Sequence, residues 1–187
     1  MKQAVKIAVL GCGTVGAQVV RLLQERAADY QARCGASLEI IGICVHNLAA
    51  PRPDFISRDL LTDQAEPLID QADLVIELIG GIEPARTYIT RALEAGKSVV
   101  TGNKALLAQH GPELFDLSRE READLYYEAA VAGAIPVVYG LRESLAGDRV
   151  QVVQGIVNGT TNYMLDQMEK KGWSFEQALT TAQELGY

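Results

Sequence analysis

Short apolar runs alternate with amphipathic stretches over the first 130 residues. Five short runs of apolar, β-branched or aromatic residues predict strands, at positions 6–10, 38–45, 74–79, 98–101 and 125–128. After the first run, apolar residues from Val15 to Tyr30 recur at helical spacing and predict one helix of about five turns. Strands that alternate with helices are typical of a parallel sheet covered on both faces. The pattern therefore predicts a doubly wound α/β domain over residues 1–130.

Two further helices are predicted in this domain. Pro84 suits the first turn of a helix after the third strand, because its missing N–H would be unpaired there, and Gly96 suits that helix's C-terminal end. Residues 104–123 are predicted to be mostly helical, with an interruption at Gly111-Pro112.

The pattern changes after residue 130. Residues 136–145 predict a helix, 150–157 a strand, and a second helix follows Asn158. Ser174 with Gln177 three residues later has the form of a capping box, which predicts a last helix toward Leu185. These elements are too few for a second independent core. We therefore expect 131–187 to be a hinge and the start of a second domain, and the chain to be part of something longer.

Composition narrows the function classes. The net charge of −7, with basic residues scattered, argues against nucleic-acid binding, which needs a basic face. No apolar run approaches the roughly 18–20 residues of a membrane span, and the N-terminus lacks the features of a signal peptide, so a cytoplasmic location is expected. The three cysteines, Cys12, Cys34 and Cys44, lack metal-ligand spacing and are predicted to be buried, reduced thiols.

Gly11-Cys12-Gly13-Thr14-Val15-Gly16 follows the first predicted strand directly and opens the first predicted helix. A helix N-terminus offers unpaired N–H groups and a partial positive charge to a pyrophosphate. In such a motif Gly11 permits the tight turn, Gly13 the approach of the phosphates, and Gly16 close packing of helix and strand. A merely structural βα turn is the alternative, but the surrounding alternation favours a Rossmann-type nucleotide-binding domain.

The acidic residue that usually binds the adenosine ribose is missing at the end of the second strand. That position holds Val45-His46-Asn47, and Asn47 lies 31 residues after Gly16, against about 20 in the common motif. Asn47 can still bind a ribose hydroxyl, and it repels a 2′-phosphate less than a carboxylate would. His46 is either a solvated loop residue or, when protonated, a phosphate ligand. NADP is therefore favoured over NAD, with either left open.

Three other strand ends carry unusual residues: Ile79-Gly80-Gly81, Thr101-Gly102-Asn103-Lys104, and Glu128 onward. Ligands of open α/β sheets bind at the carboxyl ends of the strands. Lys104 there can polarise a carbonyl or pass a proton. A surface lysine at a helix start is the alternative, although a cation there opposes the helix dipole at a cost of about 0.3–1 kcal/mol.

Five segments together resemble the homoserine dehydrogenase family. They occur in the family's order, cover nearly the whole chain and are far more specific than the glycine motif alone. They are GCGTVG at 11–16, ELIGGIEPAR at 77–86, VVTGNKALLA at 99–108, EAAVAGAIP at 128–136 and NGTTNYML at 158–165. The resemblance implies reversible hydride transfer between NAD(P)H and L-aspartate 4-semialdehyde, giving L-homoserine, in threonine and methionine biosynthesis. It also implies that 131–187 begin an α+β catalytic and dimerisation domain.

The resemblance also assigns roles to individual residues. Lys104 matches the family lysine beside the nicotinamide, implicated in cofactor binding and in proton handling at the substrate oxygen, and Gly80 would lie near the cofactor. Thr160 and Tyr187 match substrate-binding positions. The cofactor phosphates would be held by Gly11, Gly13, Thr14, Val15 and Gly16. A structural sodium ion would be bound by the main-chain carbonyls of Glu128, Val131, Gly133 and Ile135, since hard cations prefer oxygen ligands.

The chain departs from the family pattern in three places. His46-Asn47 replaces the usual Arg-Asp, and Gly102 replaces a more usual alanine. The family's substrate-binding glutamate, catalytic lysine and aspartate are expected beyond Tyr187. We therefore expect these 187 residues to bind cofactor without turnover, and the complete protein to be an active homodimer.

Two other interpretations stay open. The chain could belong to another two-domain NAD(P)-dependent dehydrogenase or reductase, because the fold alone does not fix the substrate. It could also be a dinucleotide-sensing module without chemistry.

Overall fold

The computed structural model describes residues 4–186 of the 187-residue chain. These residues form two compact units, divided between Ala130 and Val131. Each unit has its own hydrophobic core.

The first unit is built on a parallel sheet of six strands. The strands are β1 (Ala4–Leu10), β2 (Ser37–Cys44), β3 (Leu61–Thr62), β4 (Leu74–Glu77), β5 (Ser98–Thr101) and β6 (Leu125–Tyr126). Their order in the sheet is β3-β2-β1-β4-β5-β6. This is the strand order of a Rossmann fold, so the predicted fold class is confirmed.

The strand register aligns the ends of the four central strands. Leu10 lies opposite Cys44 on one side and Glu77 on the other, and Glu77 in turn lies opposite Thr101. The connection after β1 leads to β2 on one side of β1, whereas β4 pairs with β1 on the other side. At such a change of direction, a crevice opens between the loops that follow the strands. The loop after each of the four strands therefore starts from one line across the sheet.

Both faces of the sheet are covered, because successive side chains of a strand point to opposite sides. Ile7 and Val9 of β1 belong to one buried cluster, while Ala8 and Leu10 belong to the other. Residues of the helix Thr14–Glu25 pack on the Ile7 side. Residues of the helices Ala65–Gln71, Ala85–Glu94 and Lys104–Glu120 pack on the Leu10 side. The helices are α1 (Thr14–Glu25), α2 (Ala27–Cys34), α3 (Ala65–Gln71), α4 (Ala85–Glu94) and α5 (Lys104–Glu120).

Three local predictions in this unit are wrong. The single long helix is two, because the core-facing residues end with α1, and α2, which buries none of its residues, starts anew after Arg26. The interruption at Gly111-Pro112 does not occur. Pro112 removes one hydrogen bond, but Leu106 and Leu114 anchor α5 in the core on both sides of it. The predicted burial of all three cysteines fails at Cys34, which is exposed on α2.

The second unit packs two helices around a small core. These are α7 (Gly159–Lys171) and α8 (Phe175–Glu184), which follow α6 (Val137–Tyr139) and a π-helical turn (Gly140–Ser144). Asn158 caps α7 through its side-chain oxygen, which accepts the Thr161 amide at 2.9 Å. The predicted capping box at Ser174 and Gln177 is confirmed.

The prediction of a strand over 150–157 is wrong for the described structure. Its residues form no strand, and the side chains of Val152 and Ile156 are 70% and 72% exposed. Extended chain becomes a strand only beside a partner that completes its hydrogen bonds, and no described segment pairs with this one. Among the described residues, no helix has both the length and the apolar character that a membrane crossing requires.

Candidate dinucleotide-binding site

The glycine loop has three distinct local environments. Gly11 has φ +97°, and a Cβ there would lie 2.6 Å from the Leu78 carbonyl oxygen. A Cβ on Gly16 would lie 2.2 Å from the Gly11 carbonyl oxygen, so β1, the turn and α1 pack too closely for any side chain. A Cβ on Gly13 would meet no atom within 4 Å. Gly11 and Gly16 are thus required for packing, whereas Gly13 faces open space.

Helix α1 begins immediately after Gly13, with Thr14 and Val15 in its exposed first turn. Gly13 is the N-cap, and neither a side-chain cap nor an acidic residue in the first turn satisfies the free N–H groups. Backbone N–H groups and the positive end of the helix dipole therefore remain available to an anion at this point.

A cleft of about 880 Å³ lies beside the loop. It opens at the carboxyl ends of the sheet, between the loops after β1, β2 and β4, as expected for the ligand crevice of such a sheet. Burial raises the pKa of the Cys44 thiol, so that side chain is a protonated, apolar part of the wall. The lining residues are Gly11, Cys12, Gly13, Cys44, Val45, His46, Asn47, Arg52, Asp63, Leu78, Ile79, Pro84 and Tyr88.

The loop after β2 brings Asn47 to the cleft, where the ribose-binding acid of a Rossmann fold would stand. The side-chain oxygen of Asn47 accepts the Ala49 amide at 2.9 Å and so closes its own turn. Its amide nitrogen is the group left to meet a ribose hydroxyl. His46 lies beside it on the same wall and is exposed.

Sequence reasoning missed Arg52, which the structure places in this cleft. Its Nη1 donates to the Cys12 carbonyl oxygen at 2.7 Å, and its Nη2 donates to the Asn47 carbonyl oxygen at 3.1 Å. One guanidinium thus ties the glycine loop to the loop after β2. Residues 46–60 have no helical or alternating pattern, so only the folded chain shows this contact.

Sequence reasoning also missed a buried polar network centred on Glu77, the last residue of β4. One carboxylate oxygen accepts the amides of Ile79 and Gly80, at 2.8 and 3.2 Å. The other accepts the Thr101 hydroxyl at 2.6 Å. A charged residue within the apolar run LVIELI was the signal that could have found it, because a buried carboxylate needs partners.

Asn103 extends this network to the start of α5. The Thr101 hydroxyl accepts the Asn103 amide at 3.0 Å, and the Asn103 side chain donates to the Gly81 carbonyl oxygen at 2.7 Å. The Asn103 side-chain oxygen also caps α5 by accepting the Leu106 amide at 3.1 Å. The loops after β4 and β5 are therefore fixed to each other.

Lys104 is the first residue of α5, directly after this anchored cap. Its side chain is exposed and forms no ion pair among residues 4–186. The network holds Gly80, in the left-handed conformation at φ +82°, on the neighbouring loop. The structure thus places the glycine loop, Gly80 and Lys104 after three adjacent, in-register strands.

The remaining predicted residues lie elsewhere. Glu128 begins a 3₁₀ turn (Glu128–Ala130) in the first unit, while Val131, Gly133 and Ile135 lie in a loop of the second unit. Thr160 lies in the first turn of α7. Tyr187 is outside the described residues.

The fold and the cleft define a nucleotide-binding Rossmann domain, and comparison with known proteins identifies its family. Residues 11–128 match the family model described as the NAD-binding domain of homoserine dehydrogenase, and residues 136–187 match the model described as homoserine dehydrogenase. The chain belongs to the homoserine dehydrogenase family, and its first unit carries an NAD(P)-binding domain.

Individual relatives support the same family assignment. The chain is 52% identical to a homoserine dehydrogenase of Corynebacterium glutamicum over 98% of its own length, and 50% identical to one of Mycobacterium leprae over 100%. A crystal structure of a homoserine dehydrogenase from Thiobacillus denitrificans matches 98% of the chain with a TM-score of 0.89 and 38% identity, and 43% of that protein is covered. The chain spans about 42% of the length of the two curated relatives.

Proposed function

We propose that the complete protein is an NAD(P)-dependent homoserine dehydrogenase, and that this chain supplies its cofactor-binding half. The reaction is the reversible oxidation of L-homoserine to L-aspartate 4-semialdehyde. The observation that supports the proposal is the in-register alignment of strand ends, which brings the glycine loop after β1 and Lys104 after β5 to one edge of the sheet.

The residues of the cleft fit a nicotinamide dinucleotide. The open space at Gly13 and the uncapped start of α1 suit the pyrophosphate, with backbone amides of Thr14, Val15 and Gly16 as its donors. Asn47 would meet the adenosine ribose, and Gly80 would line the nicotinamide side. The bound dinucleotide supplies or accepts the hydride.

Lys104 would hold the proton at the substrate oxygen. When homoserine is oxidised, the hydroxyl group loses its proton, and the carbon that carries this hydroxyl group gives up a hydride. A lysine within reach can accept that proton, and in the reverse direction its ammonium can polarise the aldehyde and return the proton. The Glu77–Thr101–Asn103 network supports this role because it fixes the backbone immediately before Lys104.

The further assignments are proposals of the same kind. Thr160 and Tyr187 would contact substrate. A sodium ion would be held by main-chain carbonyls of Glu128, Val131, Gly133 and Ile135. The homodimer and the cytoplasmic location stay predictions.

The direct test is oxidation of homoserine by a protein of the relatives' length. We expect L-homoserine to drive reduction of NADP⁺ or NAD⁺, and L-2-aminobutyrate, which lacks the hydroxyl group, to drive none. Activity with an unrelated hydroxy acid but not with homoserine would instead favour another two-domain dehydrogenase. Cofactor binding without activity on any alcohol would favour a sensing module.

A further inference from the structure

Arg52 brings a guanidinium group into the cleft, although it lies outside the glycine motif. Arg52 is half-buried, and both of its hydrogen bonds go to uncharged carbonyl groups. It forms no ion pair with any carboxylate in the part of the chain described. The acidic residue among the cleft-lining groups, Asp63, is exposed. The guanidinium therefore brings to the cleft a positive charge that pairs with no described carboxylate.

The Arg52 side chain also has an unmet hydrogen-bonding capacity. Its Nε is shielded from solvent and donates to no described atom. A buried donor without a partner is costly, and each Nη group still has one N–H beyond those already used. An anion with several oxygens, such as a phosphate, can accept hydrogen bonds from the remaining Nη N–H groups.

The position of the guanidinium determines which phosphate group of a dinucleotide it can bind. Its Nη2 lies 3.1 Å from the carbonyl oxygen of Asn47, the residue at the ribose position, and its Nη1 lies 2.7 Å from the carbonyl oxygen of Cys12 in the glycine loop. The charge therefore stands at the ribose side of the phosphate-binding loop. No carboxylate is present at 45–47 to repel a phosphate on the ribose 2′-oxygen.

We propose that Arg52 binds the 2′-phosphate of the cofactor and makes this domain prefer NADP(H) over NAD(H). The inference rests on the proposed function, since it presumes that the cleft holds a dinucleotide. It goes further by assigning cofactor choice to one side chain. Arg52 is a ligand of the adenosine end, remote from the reacting atoms.

The test compares Arg52→Gln with a matched control, Arg58→Gln. Arg58 lies in the same connection between β2 and β3, at the start of a 3₁₀ turn (Arg58–Leu60). It donates to the Leu48 carbonyl oxygen at 2.9 Å, but it does not line the cleft. Calorimetric titration of the 187-residue chain should show NADPH binding tighter than NADH by about tenfold or more. Arg52→Gln should weaken NADPH about tenfold and NADH less than about threefold, while Arg58→Gln should change neither.

Equal weakening of NADPH and NADH by Arg52→Gln would overturn the proposal, because Arg52 would then only brace the glycine loop. Equal affinity of the wild-type chain for the two dinucleotides would overturn it as well. Binding of neither by the wild-type chain would instead contradict the proposed function.

A second comparison guards against a folding defect. The thermal midpoint of Arg52→Gln should match that of the wild-type chain. If it does not, adenosine 2′,5′-bisphosphate and adenosine 5′-monophosphate are compared on the wild-type chain. A preference of about tenfold for the bisphosphate supports a 2′-phosphate site, and equal binding overturns it. Arg52→Lys, which keeps the charge but not the fork geometry, should retain part of the preference.

Discussion

Replacement of Gly16 by alanine is expected to abolish dinucleotide binding and to lower the free energy of unfolding by about 1–3 kcal/mol, as overpacking does elsewhere. The added methyl group would lie 2.2 Å from the Gly11 carbonyl oxygen. That oxygen belongs to the backbone and has no side-chain freedom, so the turn and the start of α1 must separate. The N–H groups that face the phosphates would move with them.

Gly13→Ala is the matched contrast within the same loop. The new methyl group meets no atom within 4 Å, and Gly13 has an ordinary φ of −81°. We therefore expect the free energy of unfolding to stay within about 1 kcal/mol of the wild-type value, while the methyl group occupies the phosphate approach and weakens NADPH by about tenfold or more.

Denaturant unfolding and NADPH titration of both variants check these results. Gly147→Ala in the second unit serves as the control, because its Cβ would also meet no atom. Wild-type affinity for NADPH in Gly16→Ala would contradict the assignment of this loop to the phosphates.

Lys104→Ala, made in a protein of the relatives' length, is expected to lower kcat/KM for homoserine by about 10²–10⁴-fold, the usual contribution of a general acid or base. Stability should stay unchanged or rise slightly. The reason is that a cation in the first turn of α5 opposes the helix dipole, which costs about 0.3–1 kcal/mol. Loss of activity without loss of stability distinguishes a chemical role from a structural one.

Steady-state kinetics with Gln109→Ala, an exposed position on the same helix, provides the control and should give wild-type values. Lys104→Arg should recover little activity, since a guanidinium keeps its proton at any working pH. Near-normal oxidation of homoserine by Lys104→Ala would remove the assigned role of this lysine.

The central strands and the glycine loop could be predicted because their signals are local. Apolar runs such as 6–10 and 74–79 specify strands by themselves, and the glycine spacing depends on contacts between β1 and the helix that follows it. The two-residue strand β3 and the seven-residue helix α3 were missed, since neither is long enough to show a period.

Arg52 and Glu77 could not be predicted because their roles depend on residues distant in the sequence. The carbonyl that Arg52 binds in the glycine loop is 40 positions away, and the hydroxyl that Glu77 binds is 24 positions away. Only the strand order brings these partners together. The failed strand at 150–157 has the same origin, since its β-branched residues suit a strand but strand formation requires a neighbour.

Titration of the 187-residue chain with NADPH and NADH tests the central claim most directly, because the cleft lies wholly within residues 11–88 of the first unit. We predict saturable binding of at least one dinucleotide to one site per chain, with heat or dihydronicotinamide fluorescence as the signal. Binding should also raise the unfolding midpoint, because a ligand of the native state stabilises it. A chain that unfolds cooperatively yet binds neither dinucleotide would contradict the account.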